Sequence, residues 1–197
     1  MRAINTFRDK ASGRVLLSIF LLAVPLQAWA IAFCAVREPV RAIQEFYPGY
    51  TSYLTLHGTI DEQARLQVEE QLPSRVFRES GNHSLYVVYR DDKLAGFVHA
   101  RTEKGRYGLD EIIWAIAPNL TINDFEYQRS RGSTMSTLDQ ARYKDILVGK
   151  DSDALLNLFE QGPSKLGLPE EQARLFESGI KALLVSQAIW GNDITGL

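Results

Sequence analysis

The sequence predicts an α+β domain: an antiparallel β-meander sheet packed by helices, preceded by an N-terminal signal peptide or anchor helix. Three observations predict it. Four stretches rich in β-branched and aromatic residues succeed one another between residues 84 and 129 with short turns, as antiparallel neighbours do. Segments before residue 80 and after residue 137 carry helical periodicity and capping residues. The first 36 residues run from basic to apolar. A chain of 197 residues suits one such domain with an appendage.

In order along the chain, Arg2, Arg8, Lys10 and Arg14 precede the apolar run Val15 to Leu26, and Gln27-Ala28-Trp29-Ala30 follows. Basic residues, a short apolar run and small residues before a cut after Ala30 describe a secretory signal peptide over residues 1–30. Apolar character continues to Val36, and residues 15–36 are also long enough for an uncleaved anchor with its basic flank inside. Both readings put the folded part on the exported, periplasmic side, and the second tethers it to the inner membrane. Phe33 before Cys34 argues against a lipoprotein signal.

Residues 38–80 read as a helical preface. Val40, Ile43 and Phe46 recur at helical spacing, and Thr59-Ile-Asp-Glu62 has the form of a capping box opening a helix to about Leu72. Ser84 to Arg90 and Leu94 to Arg101 then form a hairpin through Asp91-Asp92-Lys93, and Thr102 to Gly108 is expected to be a loop. Leu109 to Ala117 is the most apolar strand, and Leu120 to Arg129 is a fourth whose polarity changes face midway. Helices are expected at Leu138–Leu147 and Ser152–Phe159. Pro169-Glu-Glu171 opens the longest one, with Phe176, Ile180, Leu183, Leu184 and Ala188 as its apolar stripe.

Hydrophobic residues at 45% and charged residues at 23% exclude intrinsic disorder and a polytopic membrane protein. A net charge of −2, with the four basic residues of the leader included, argues against nucleic acid as a partner. One cysteine excludes an intrachain disulfide and a multi-thiolate metal site. His57, His83 and His99 lack paired-ligand spacing and read as structural or surface groups, so no metal site is expected. No nucleophile elbow, phosphate loop, dinucleotide fingerprint or zinc-hydrolase motif occurs, and no catalytic residue is nominated.

One segment offers binding chemistry. Arg129-Ser-Arg131-Gly132-Ser133-Thr134 combines guanidinium groups, a glycine and hydroxyls, which suits a phosphate and equally suits a solvated loop capping the next helix. Trp114, Tyr107 and Tyr127 could stack on a flat ligand or serve as core.

The order of elements then carries a likeness. A strand pair at 86–101, strands at 112–116 and 122–128, the polar loop Arg131-Gly132-Ser133, a helix ending at Leu147-Val-Gly-Lys150, and Ser178-Gly179-Ile180-Lys181 in a late helix follow one another. Over residues 84–190 the chain resembles a divergent FMN-binding domain family, found in exported subunits of the Rnf and sodium-translocating NADH:quinone complexes and in the nitrous-oxide regulator NosR. That family commonly esterifies the flavin phosphate to the threonine of a Ser-Gly-Ala-Thr motif, where this chain carries Lys181. Its Asp/Glu-Thr-Pro-Gly loop is replaced here by Arg129-Ser-Arg-Gly132. The resemblance therefore implies a noncovalent FMN, with Arg131, Gly132, Ser133 and Thr134 at the phosphate and Trp114 or Tyr127 against the ring. The chain would be an electron-transfer accessory to a membrane or exported redox protein rather than a stand-alone enzyme. The alternative is a cofactor-free envelope interaction module derived from the flavin-binding fold.

Overall fold

The computed structural model describes residues 38–72, 77–105, 108–130, 137–162, 170–194 and 197. The leader and anchor readings of residues 1–36, together with Tyr107 and Arg131 to Thr134, lie outside the described residues. Among the described residues no helix is long and apolar enough to cross a membrane.

Five strands form one open antiparallel sheet in sequence order: β1 (Ser52–Ile60), β2 (Gly81–Arg90), β3 (Lys93–Gly105), β4 (Gly108–Ile116) and β5 (Ile122–Arg129). The expected meander is present. The helical preface needs correction, because β1 lies within it and pairs with β2 from Ser52↔Tyr89 to Ile60↔Gly81. Its period-2 signal is Leu54, Leu56 and Ile60 on one face against Tyr53, Thr55, His57 and Thr59 on the other. Gly58 and His57 dilute that signal, as befits an edge strand. Thr59 belongs to this strand, and Asp61 caps helix α2 (Glu62–Gln71) by accepting the Ala64 N–H at 2.8 Å.

The hairpin turn falls on Asp91 and Asp92, with φ of 49° and 59°, the primed geometry that matches strand twist. The loop expected at 102–108 is a second correction. β3 continues in register with β4 to Gly105↔Gly108, carrying Glu103 opposite Asp110. The change of face in β5 is a bulge: Ile116 pairs with Ile122 but Ala115 with Asp124, so both Ile122 and Phe125 are buried.

Helices cover the sheet unequally. On one face lie α2, α3 (Thr137–Leu147), α4 (Ser152–Glu160) and the 25-residue α5 (Glu170–Ile194). Beneath α5 one row of side chains crosses all five strands: Leu56, Leu85, His99, Trp114 and Phe125. α5 crosses that row obliquely, with Ser178 and Gly179 over Trp114, Ala182 over His99, and Ile189 and Trp190 over Gly58. The other face packs under the seven-residue α1 (Val40–Phe46), whose Ala42 and Ile43 cluster with Val88, Val98, Ile113 and Ala115.

Tyr47 ends α1 and pins it to the sheet. Its hydroxyl approaches the carbonyls of Ile116 and Phe97 at 2.9 and 3.1 Å. Room for it exists because residue 96 is glycine, with φ +153°. A Cβ there would run into the Tyr47 hydroxyl and stand 2.6 Å from the Ile116 carbonyl oxygen, which is backbone and cannot swing aside. Gly96→Ala is therefore expected to destabilise the fold by about 3 kcal/mol or more, the sum of backbone strain and overpacking. Gly149→Ala, with φ +79° and open space around the new methyl, supplies the strain alone and should cost about 1 kcal/mol. Urea denaturation of both variants checks the difference; equal losses would remove Tyr47 from the explanation.

Candidate functional site

The side chains that set this fold apart lie between α5 and the sheet. Along β3 the residues facing α5 are Phe97, His99, Arg101 and Glu103, an apolar position followed by three polar ones on the core side. From β2 comes His83, from the strand's approach Glu79, and from α5 Glu177, Ser178, Lys181, Ser186 and Trp190. Together they form a polar stripe buried inside an otherwise apolar layer.

The stripe begins as an ion cluster. Arg101, with 2% of its side chain exposed, donates from Nη2 to Glu79 Oε1 at 2.5 Å and from Nε to Glu103 Oε1 at 3.1 Å. The Lys181 ammonium stands 3.3 Å from Glu177, 3.5 Å from Glu103 and 3.9 Å from Glu79. Three carboxylates thus meet two cations. Burial pushes the Glu103 carboxyl up, but the charges of Arg101 and Lys181 outweigh it and hold the group below the usual carboxylate range. Burial likewise opposes the Arg101 charge, and the two carboxylates overcome it. Arg101 Nη1 and Glu79 Oε2 find no hydrogen-bond partner among the described residues.

The stripe continues as three rings in edge-to-face contact. His83 and His99 lie 5.8 Å apart, and His99 and Trp190 another 5.8 Å. The Ser186 hydroxyl donates to the Ala182 carbonyl at 2.7 Å. His99 Nδ1 faces that carbonyl at 3.2 Å and the Ser186 oxygen at 3.1 Å, so Nδ1 carries the ring proton and Nε2 the lone pair. Burial first, and the Arg101 charge second, lower the His83 pKa to about 3. The same causes, with His83 added, hold His99 well below the normal histidine value. Both rings are neutral at pH 7.

The Ser186–His99 distance is that of a hydroxyl beside a base. Its chemistry is nevertheless structural, since His99 is 0% and Ser186 2% exposed and the hydroxyl proton is committed to a carbonyl. Among the described residues no group of three His, Cys, Asp or Glu side chains is placed to hold a metal ion.

The residues nominated from the sequence fall elsewhere or into other work. Trp114 is fully buried; its indole N–H donates to Ser178 Oγ at 3.2 Å, Phe125 lies 5.1 Å from its ring, and a Cβ on Gly179 would sit 3.0 Å from it. A planar ligand reaches that ring only by lifting α5 from the sheet. Tyr127 is half-buried near the end of β5, packed against the main core. Lys181, the residue at the resembling family's acceptor position, sits in the ion cluster with 15% of its side chain exposed. Trp114 is thus consumed in the core, and a phosphate placed beside Lys181 would meet three carboxylates; the phosphate contacts expected at Arg131 to Thr134 lie outside the described residues.

Sequence reasoning missed the ion cluster. Its signal was the parity of β3, where His99, Arg101 and Glu103 share the face of Phe97 and must be buried with it. No protein-family model, curated protein or solved structure matches the chain.

Proposed function

We propose that the chain is a cofactor-free interaction module of the cell envelope, built on an architecture that resembles the flavin-binding domain. One observation carries this reading. Ser178 and Lys181, which stand where the resembling family links its flavin, are spent on structure: one accepts the Trp114 N–H and the other is held by Glu177, Glu103 and Glu79. A phosphate dianion introduced there would break an ion cluster already one carboxylate in excess. Export through the leader, with or without a retained anchor over residues 15–36, delivers the module to the envelope. There it holds a partner protein and turns over no substrate.

The test is a visible absorption spectrum of protein produced with ample flavin and purified from its exported compartment. A featureless spectrum, together with a defined protein that crosslinks to the chain in the envelope, is the expected result. The two visible bands of an oxidised flavin would overturn it.

Those bands would favour the second reading, a noncovalent FMN in an electron-transfer accessory. That reading draws support from half-buried Tyr127 near the end of β5, which Arg131, Ser133 and Thr134 follow in the sequence. Flavin released by acid into the supernatant, and lost in Arg131→Ala, would identify it. Flavin that stays with the precipitate would instead mean a covalent link.

A further inference from the structure

The free edge of β1 borders a second, separate site. A cleft of about 350 Å³ opens between that edge, the start of α2 and the end of α5. Gly58, Asp61, Gln63, Gln67, Trp190 and Asp193 supply its chemistry. Two carboxylates and two amides converge there, and no lysine or arginine is among the lining residues. One oxygen of Asp61 holds the α2 N-terminus, and no hydrogen bond occupies the other among the described residues. His57 and Thr59 are bonded cross-strand to Ser84 and Asn82 on the opposite sheet face, so alternation leaves Gly58 as the β1 position turned toward α5.

Gly58 explains how Trp190 comes to form a wall. A Cβ at position 58 would collide with Ile189 and lie 2.9 Å from Trp190 Nε1, so only glycine lets the indole reach the strand. Trp190 is 2% exposed, and its Nε1 has no hydrogen-bond partner among the described residues. A buried indole N–H without an acceptor is uncommon, and this one lies against Gly58, which itself lines the cleft. The cleft therefore offers two demands to a ligand: a cation for Asp61 and Asp193, and a nearby acceptor oxygen for the indole.

We propose that this cleft binds a small primary ammonium carrying a hydroxyl or carbonyl oxygen a few bonds away. The free form of that chemistry is an amino alcohol or aminoacyl amide; the tethered form is the amino terminus of a peptide. The site does not depend on either functional reading above, since neither uses the β1 edge.

The test uses the 15N-labelled full chain in neutral detergent, with the Trp190 indole signal assigned by its loss in Trp190→Phe. Ethanolamine and glycinamide are expected to shift that signal saturably. Ethylene glycol and glycolate, which supply the acceptor without the cation, are not. Asp61→Asn combined with Asp193→Asn removes both charges while asparagine still caps α2, and should weaken binding at least tenfold. Triglycine amide binding more tightly than glycinamide supports a peptide terminus as the source; equal or weaker binding supports a free amine. Absence of a shift, an equal shift with ethylene glycol, or unchanged binding in the double variant would overturn the proposal.

Discussion

Acidification from pH 6.5 to 4.5 is expected to strip the fold of stability through its buried histidines. The cause is His83 and His99, which are buried as neutral rings beside the Arg101 guanidinium. In the unfolded chain each histidine takes up a proton below about pH 6.5. In the folded chain His83 resists until about pH 3, and His99 also titrates well below its ordinary value. The unfolded state thus binds more protons throughout that window, and stability falls as pH falls. His83 alone should cost roughly 2 kcal/mol across those two pH units, and His99 adds a loss of the same sign. Glu103, held below its ordinary value, adds its own loss only below pH 4.5. Urea denaturation at a series of pH values gives the slope directly. His83→Gln keeps a polar side chain but cannot titrate, so its slope between pH 6.5 and 4.5 should be visibly shallower. Identical slopes in parent and variant would mean that the ring is solvated.

How much of this could be read beforehand divides along a physical line. Local signals were legible: the Asp91-Asp92 turn, the four strands from β2 to β5 and the acidic start of α5 each follow from backbone preferences of the residues themselves. β1 was missed because an edge strand buries only part of one face, and Gly58 interrupts its apolar positions. The end of β3 was missed for a different reason. Thr102-Glu-Lys-Gly105 is polar and reads as a loop, yet Glu103 is inside because Lys181 and Arg101 arrive from distant parts of the chain to neutralise it. Burial of a charge is a tertiary event, and no window of sequence contains its partners. The same holds for Trp114, which reads as a stacking candidate until Gly179 and Ser178 of α5 close over it.

Arg101→Met is expected to destabilise the protein by about 3–5 kcal/mol, the usual penalty for removing one member of a buried ion cluster. The loss arises less from the missing attraction than from what stays behind: Glu79 and Glu103, largely buried, with only Lys181 at 3.5 Å or more to answer them. Arg101→Lys should recover little, because one ammonium cannot reproduce separate donors at 2.5 Å to Glu79 and 3.1 Å to Glu103. A pH signature distinguishes this from a packing defect. Without the guanidinium, burial dominates Glu103 and raises its folded pKa, so at that group the folded variant holds a proton the unfolded chain releases, a contribution that favours the fold as pH falls. The gap between parent and variant should therefore narrow on acidification, whereas a cavity would leave it constant. Replacing the whole cluster at once, with Arg101→Met, Lys181→Met, Glu79→Leu and Glu103→Leu, separates stability from purpose. Buried ion groups are often no more stabilising than apolar residues of similar size. A quadruple variant as stable as the parent would mean that the charges are not kept for stability, and would direct attention to what binds where Lys181 and the end of β3 approach solvent. A large loss in the quadruple variant would mean that the cluster is the clamp holding α5 on the sheet.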